Sequence, residues 1–256
     1  MMIQVLDHGY VNQIETWGSD ERIVEAARMS TGKGFLGWGP VHTDTCAHRI
    51  SRERGDNREL PCNCTPAPGD EKLLKFLWDH KHATPFEMAG VTIEVMAPIF
   101  VFREWHRHRT ASYNEMSARY TPLPDVNYIP SVERLMINAG ATNKQAGTIK
   151  GASEMTKEAA VHFQSELRDV YHRQQALYEW ALGAGVPKEL ARIHLPVGRY
   201  SRMRASANLR NWLAFLTLRM DSAAQYEIRM YANAVAEIIK AAFPITYSLF
   251  AATATA

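Results

Sequence analysis

The chain has 256 residues, 46% of them hydrophobic and 22% charged, which is enough length and apolar content to bury a core and excludes a wholly disordered chain. Its formal net charge of +2 is small for a protein whose main task is to grip a nucleic-acid backbone, so no stable nucleic-acid partner is expected and local basic clusters matter more than the total. Its three cysteines (Cys46, Cys62, Cys64) form an odd, clustered set unlike a secreted disulfide framework, MMIQVLDHGYV does not read as a leader, and no apolar run reaches the roughly 18 residues of a membrane span, so a reducing cytoplasm without a membrane partner is expected.

In chain order, residues 2–6 read as a short strand, and Ser19 as the cap of a helix over about 20–29. From Thr31 to Gly69 the sequence is rich in Gly, Pro, Cys, His and Arg and loses hydrophobic periodicity, so it reads as an insertion. Helical spacing returns over 71–82. Residues 88–97 alternate and favour a strand, and Pro98 suits the first position of a helix running toward Arg109. Residues 110–130 hold three prolines and are expected to be mostly irregular, and 138–151 to form a loop. A long amphipathic helix is predicted over about 154–182, a short one from Pro187 through Arg192, and an extended segment over 195–207. Asn208 can cap a helix to Met220, and Ser222 with Gln225 fits a capping box for a last helix ending before Pro244. The order implies a mixed α/β (α+β) fold with a helix-rich C-terminal half.

The densest polar segment is Arg103–Tyr120, REWHRHRTASYNEMSARY. If its start is helical, Phe100, Glu104 and Arg107 share a face, while Arg107, His108 and Arg109 point in different directions. The small hydroxyl residues that follow leave backbone N–H groups open to an anion, Arg119 can clamp a phosphate, and Asn114 and Glu115 can bond a base or ribose. The plain reading of such a cluster is a solvated basic helix and a polar loop.

The string from Arg107 to Tyr120, an Arg-His-Arg followed by seven residues and Ser117, resembles the signature of the flavin-dependent thymidylate synthases. The stretches His80–Glu87 (HKHATPFE), Ala26–Ser30 (AARMS), Ala191–Pro196 (ARIHLP) and Asn208–Arg210 through Leu218–Arg219 resemble further family segments in the same order. The resemblance covers most of the chain apart from residues 31–69 and the last few. It implies one catalytic domain over 1–256 with that insertion, built on an antiparallel-rich sheet with long helices. It also implies FAD as cofactor, methylenetetrahydrofolate and NADPH as co-substrates, a uridine nucleotide (dUMP or UMP) as acceptor, and a homotetramer with shared active sites. On this resemblance Ser30, Thr84, Glu87, Arg107, His108, Arg109, Thr110, Asn208 and Arg210 contact FAD. Glu104, Arg107, Glu115, Ser117, Ala118, Arg119, Arg192 and Arg219 form the nucleotide site, with Ser117–Arg119 at the phosphate, and His82 lies near flavin and folate.

Arg219 is the residue expected to activate the pyrimidine. It follows Leu216 by three positions and Trp212 by seven, on a partly apolar helix face where a guanidinium needs an acceptor. A uracil carbonyl and ionising N3 would be one. The plain alternative is snorkelling or pairing with a helix carboxylate. No cysteine lies in a signature segment, so the resemblance implies hydride delivery from reduced flavin rather than Cys attack on C6.

Glu104 stands where the family usually has Gln, Gly198 follows Leu195–Pro196 where Asn is common, and Ala214 and Ala223 replace frequent Asn or His. Three other readings stay open: a UMP C5-methylase of a nucleoside-antibiotic pathway; a metal-dependent hydrolase using His80/His82 or His106/His108; and an RNA-binding module stacking bases on Trp105, Tyr113 and Tyr120. Within the insertion, Cys46, His48, Cys62 and Cys64 are weak candidates for a structural zinc, and Arg49, Arg52, Arg54 and Arg58 for the mouth of the active site.

Overall fold

The structure, a computed structural model, describes residues 1–39, 69–137, 143, 147–148 and 152–254. The four metal candidates and the insertion arginines lie outside the described residues. The chain divides into two compact units. One comprises Met1–Glu15, Val91–Ala207 and Ala214–Ile238, and the other Thr16–Gly90, Asn208–Leu213 and the chain from Ile239 onward.

The first unit holds a five-stranded sheet, save for a few strand-end residues. Its strands are β1 (Met2–Val5), β2 (Gly9–Trp17), β3 (Gly90–Pro98), β4 (Ser112–Glu115) and β5 (Tyr200–Asn208), in the spatial order β1-β2-β3-β5-β4. Pairing is antiparallel between β1 and β2 and between β4 and β5. In β3 the alternation works as the sequence suggests, with Val91, Ile93, Val95 and Ala97 all fully buried. In β5, Arg202 and Arg204 stay exposed while Ser201, Met203, Ala205 and Ala207 turn inward. Gly9 starts β2 because a Cβ there would run into the Tyr231 hydroxyl and lie 2.7 Å from the Met96 carbonyl oxygen. That hydroxyl donates to the same carbonyl at 2.8 Å.

Helix α3 (Ile99–Trp105) follows β3 directly. The expected run to Arg109 stops short because the backbone tightens after the helix. His108 N bonds Trp105 O at 3.0 Å, and the Tyr113 hydroxyl donates to the carbonyls of Trp105 and His108. Trp105 is fully buried, stacked on Phe215 at 4.9 Å and edge-on to Tyr231 at 6.2 Å.

Further along the chain lie α4 (Val132–Met136), α5 (Lys157–Gly183), α6 (Lys188–Ala191) and α7 (Leu209–Arg219), the last capped as expected by Asn208 Oδ1 accepting from Asn211 N at 3.0 Å. Two strands appear where none was expected. β2 was hidden by its polar residues, and β4 lies inside the stretch expected to be irregular. Helix α8 (Tyr226–Ala242) begins without the Ser222–Gln225 capping box: Asp221 Oδ1 takes Ala223 N at 2.7 Å in the preceding turn.

The second unit packs α1 (Asp20–Arg28), α2 (Asp70–Asp79) and α9 (Pro244–Ala254) together. Pro244 therefore opens a helix as well as following one. Its missing N–H costs nothing at that position, and the next donors, Ile245 N and Thr246 N, are taken by the carboxylate of buried Asp20 at 2.9 and 3.2 Å. Ser19 caps α1, as expected, accepting from Arg22 N at 3.3 Å. Asp70, at the start of α2, is 1% exposed. It pairs with Arg28 and accepts from Leu36 N and Gly37 N. Gly39 and Gly69 approach so closely that a Cβ on Gly69 would collide with the Gly39 carbonyl.

Candidate functional site

Arg219 ends α7 and is 9% exposed. Burial of a guanidinium demands acceptors, and α3 and the turn after it supply three. Nη1 donates to Glu104 Oε2 at 2.8 Å, Nη2 to the Glu104 carbonyl at 2.8 Å, and Nε to His108 Nε2 at 3.0 Å. The last bond requires an unprotonated Nε2, so His108 is the neutral imidazole with its hydrogen on Nδ1. Burial first, and then the Arg219 charge, hold the His108 pKa below its usual value. Phe215 lies against the imidazole edge-on at 4.9 Å. Arg219 thus pairs with a helix carboxylate, one of the two outcomes its sequence position allowed. A guanidinium has five N–H bonds, and three are used here, so two remain for a ligand.

Arg107 lies beyond the helix end, so it does not extend the Phe100–Glu104 face as expected. Arg107 and Arg109 are exposed, and among the described residues no carboxylate pairs with either. Thr110 is exposed beside them. His106 turns to the Met203 sulfur at 3.2 Å while His108 serves Arg219, so this pair does not converge as metal ligands would. Among the described residues no group of three or more His, Cys, Asp or Glu could hold a metal ion. Trp105 is buried in the core and offers no face for a base to stack on, which removes the centre of the RNA reading.

A cavity of about 300 Å³ opens near the C-terminal end of β4. Its lining includes Glu115, Ala118 and Arg192, three of the expected nucleotide residues. Residues 117–121 form a tight turn, with Ser117 O accepting from Tyr120 N at 3.0 Å and Thr121 N at 3.2 Å. Ser117 Oγ accepts from Arg119 N at 3.3 Å, and the Arg119 side chain pairs with Glu189 at 3.2 Å on the exposed rim. Among the described residues Arg192 has no carboxylate partner. The lining also includes Glu189 and Ser201, which no motif marks. The strand alternation that turns Ser201 inward is the only signal that could have found it.

The other expected FAD residues fall in the second unit. Thr84 and Glu87 sit on a single 3-10 turn over Thr84–Glu87, Arg210 forms an ion pair with Glu87, and Asn208 caps α7. Ser30 is exposed, with its hydroxyl on the Ala27 carbonyl at 3.0 Å. His82 is exposed, edge-on to Phe76 at 5.7 Å. His80 instead stacks on Phe76 and directs Nδ1 to the Phe76 carbonyl, so His80 and His82 do not aim at one point either.

Comparison with known proteins identifies the family. Residues 13–245 match the family model described as thymidylate synthase complementing protein. The flavin-dependent thymidylate synthase of Rickettsia typhi is 36% identical, over 97% of this chain and 77% of its own. That of Thermus thermophilus is 37% identical, over 98% and 78%. The solved structure of a UMP/dUMP methylase, PolB from Streptomyces cacaoi, bound with 5-Br UMP, superposes with a TM-score of 0.74 at 26% identity, covering 98% of this chain and 96% of that one. The fold and the family match mark the chain as a methyltransferase of the flavin-dependent thymidylate synthase type. The chain belongs to the flavin-dependent thymidylate synthase family, whose members use FAD with a folate and NADPH as co-substrates.

The residues fit those groups. Arg107 and Arg109, exposed cations that no described carboxylate pairs, suit a pyrophosphate, and Arg192 at the cavity suits a phosphate.

Proposed function

We propose that the acceptor is dUMP, methylated at C5 to dTMP, and that the Arg219 cluster and the Glu115–Arg192 cavity receive it. The observation that carries this reading is a nearly buried guanidinium with two N–H bonds to spare, held by Glu104 and His108.

The chemistry follows from that geometry. Methylation at C5 requires electron density on the uracil ring, which a fixed positive charge at a carbonyl and N3 stabilises. Arg219 is that charge, and Glu104 and His108 fix its plane in advance of binding. Neutral His108 accepts from Nε without adding a second positive charge beside the guanidinium, whose Nη1 pairs with the Glu104 carboxylate. Arg192 and the Ser117–Arg119 turn hold the phosphate, and Glu115 accepts from a ribose hydroxyl. Methylenetetrahydrofolate would supply the carbon, and the flavin, once reduced by NADPH, would supply the hydride; Arg107, His108, Arg109, Thr110, Ser30, Thr84, Glu87, Asn208 and Arg210 would hold the flavin, with His82 near the flavin and folate. The test is mass analysis of dUMP after incubation with FAD, NADPH and methylenetetrahydrofolate. A gain of one methyl supports the reading, and unchanged dUMP opposes it.

UMP is the second reading. It is favoured by the likeness to PolB, whose structures carry 5-Br UMP and 5-Br dUMP. The named thymidylate synthases are more similar in sequence, at 34–37% identity against 26–29% for PolB, and this supports dUMP.

The assembly is a homotetramer in this reading. Its support is helix α5, 27 residues long, whose buried side chains are Ala160, Tyr178 and Ala181 while Trp180, Leu177 and Phe163 stay exposed. No helix among the described residues is long and apolar enough to cross a membrane. The reading keeps the enzyme in the cytoplasm.

A further inference from the structure

The inward face of β5 presents positions 201, 203, 205 and 207, and three of them are apolar: Met203, Ala205 and Ala207. Ser201 is the exception. It is 1% exposed, and its Oγ has no hydrogen-bond partner among the described residues. A buried hydroxyl without a partner is destabilising, and alanine would fill such a position without that cost. Packing therefore gives no reason for the hydroxyl, whereas a ligand would.

The surroundings identify the ligand. Ser201 lines the cavity of about 300 Å³ with Glu115, Ala118 and Arg192. Glu115 is opposite Met203 in the β4–β5 register, and Met116 N donates to Arg202 O at 2.8 Å just past the last pair. Past that bond the chain enters the Ser117–Thr121 turn, which is proposed to hold the nucleotide phosphate. A cation, two carboxylates (Glu115, and Glu189 in its pair with Arg119) and an unpartnered hydroxyl thus line one small cavity bordered by apolar Leu123 and Leu195. We propose that Ser201 is a further substrate-binding residue, whose hydroxyl hydrogen-bonds the ribose-phosphate part of the uridine nucleotide. This rests on the cavity being the nucleotide site. A serine hydroxyl both donates and accepts, so it can give its hydrogen to a phosphate oxygen or take one from a ribose hydroxyl. Arg192 contributes charge, while Ser201 contributes a neutral contact on a rigid strand.

The test is calorimetric titration of the full-length, flavin-loaded protein with dUMP in the absence of folate, so that nothing turns over. Ser201→Ala should raise the dUMP dissociation constant about three- to tenfold, the worth of one neutral hydrogen bond, with the flavin spectrum kept and the melting temperature of the nucleotide-free protein unchanged or raised. Ser201→Cys keeps the side-chain shape with a slightly larger atom that hydrogen-bonds more weakly, and should shift affinity in the same direction. The same titrations with deoxyuridine locate the contact: a loss that persists places it on the ribose, and one that disappears places it on the phosphate. Unchanged dUMP affinity in both variants overturns the proposal. A wild-type protein that binds dUMP while the variants bind it equally well defeats only the role of Ser201. A wild-type protein that binds neither dUMP nor UMP defeats the nucleotide-site reading, and this proposal with it.

Discussion

At the scale of single residues, the proposed chemistry turns on how Arg219 is held. Three acceptors fix the guanidinium, so in the proposed reaction its charge would need little reorganisation as the uracil ring gains electron density. Arg219→Ala should lower the methylation rate constant by about 100- to 1,000-fold in a single-turnover assay, the usual effect of losing one preorganised charge-stabilising donor. A loss under about threefold would remove Arg219 from the chemistry. His108 adds a pH signature. Burial and the Arg219 charge lower its folded pKa below the ordinary 6.5, so the unfolded chain takes up this proton first as pH falls. The stability from neutral His108 is fully present above about pH 6.5 and is lost as pH falls through the lowered folded value. The melting temperature of His108→Asn should therefore decline less steeply between about pH 7 and pH 5 than that of the wild type. Parallel declines would show that His108 carries no such linkage.

At the scale of elements, the second unit separates stability from binding. Asp20 caps α9 from α1, accepting from Ile245 N, Thr246 N and the Thr246 hydroxyl, the last at 2.6 Å. Removing it with Asp20→Ala strips a helix cap and leaves buried donors unpaired, a loss of about 2 kcal/mol readable by urea denaturation. The Glu87–Arg210 pair is half exposed and contributes at most about 1 kcal/mol to folding. Glu87→Gln should leave the denaturation midpoint nearly unmoved while reducing the FAD retained after gel filtration; full retention would remove Glu87 from the flavin site.

The same elements show what a sequence reveals. Strand β3, the Ser19 cap and the Asn208 cap are written in local pattern and were legible. Helix α9 was not, because Pro244 signals an end as readily as a beginning and its cap, Asp20, lies 225 residues from Ile245. The length of α3 was hidden because Tyr113, eight residues past Trp105, takes the carbonyl at its end. The family resemblance drew attention to Arg219, in the Leu218–Arg219 segment, and to Glu104, ahead of the signature string, yet their pairing spans 115 positions and emerges only in the fold. Ser201 had no local mark beyond its place in an alternating strand.

At the scale of the whole molecule, the exposed apolar side chains of α5 predict that the protein does not work alone. Mass photometry at micromolar concentration should give a species of four chains, each 28.9 kDa. Trp180→Glu, which charges a residue 67% exposed in one chain, should shift that species toward smaller forms. A wild type that remains monomeric would contradict the shared-site assembly. The central claim is flavin-dependent methylation of a uridine nucleotide, and its most direct test combines one spectrum with one mass measurement. The purified protein is predicted to show a flavin absorbance band with FAD. In the presence of NADPH and methylenetetrahydrofolate it should add one methyl to dUMP, faster than to UMP. A protein that binds no flavin and leaves both nucleotides at their original mass would contradict the account.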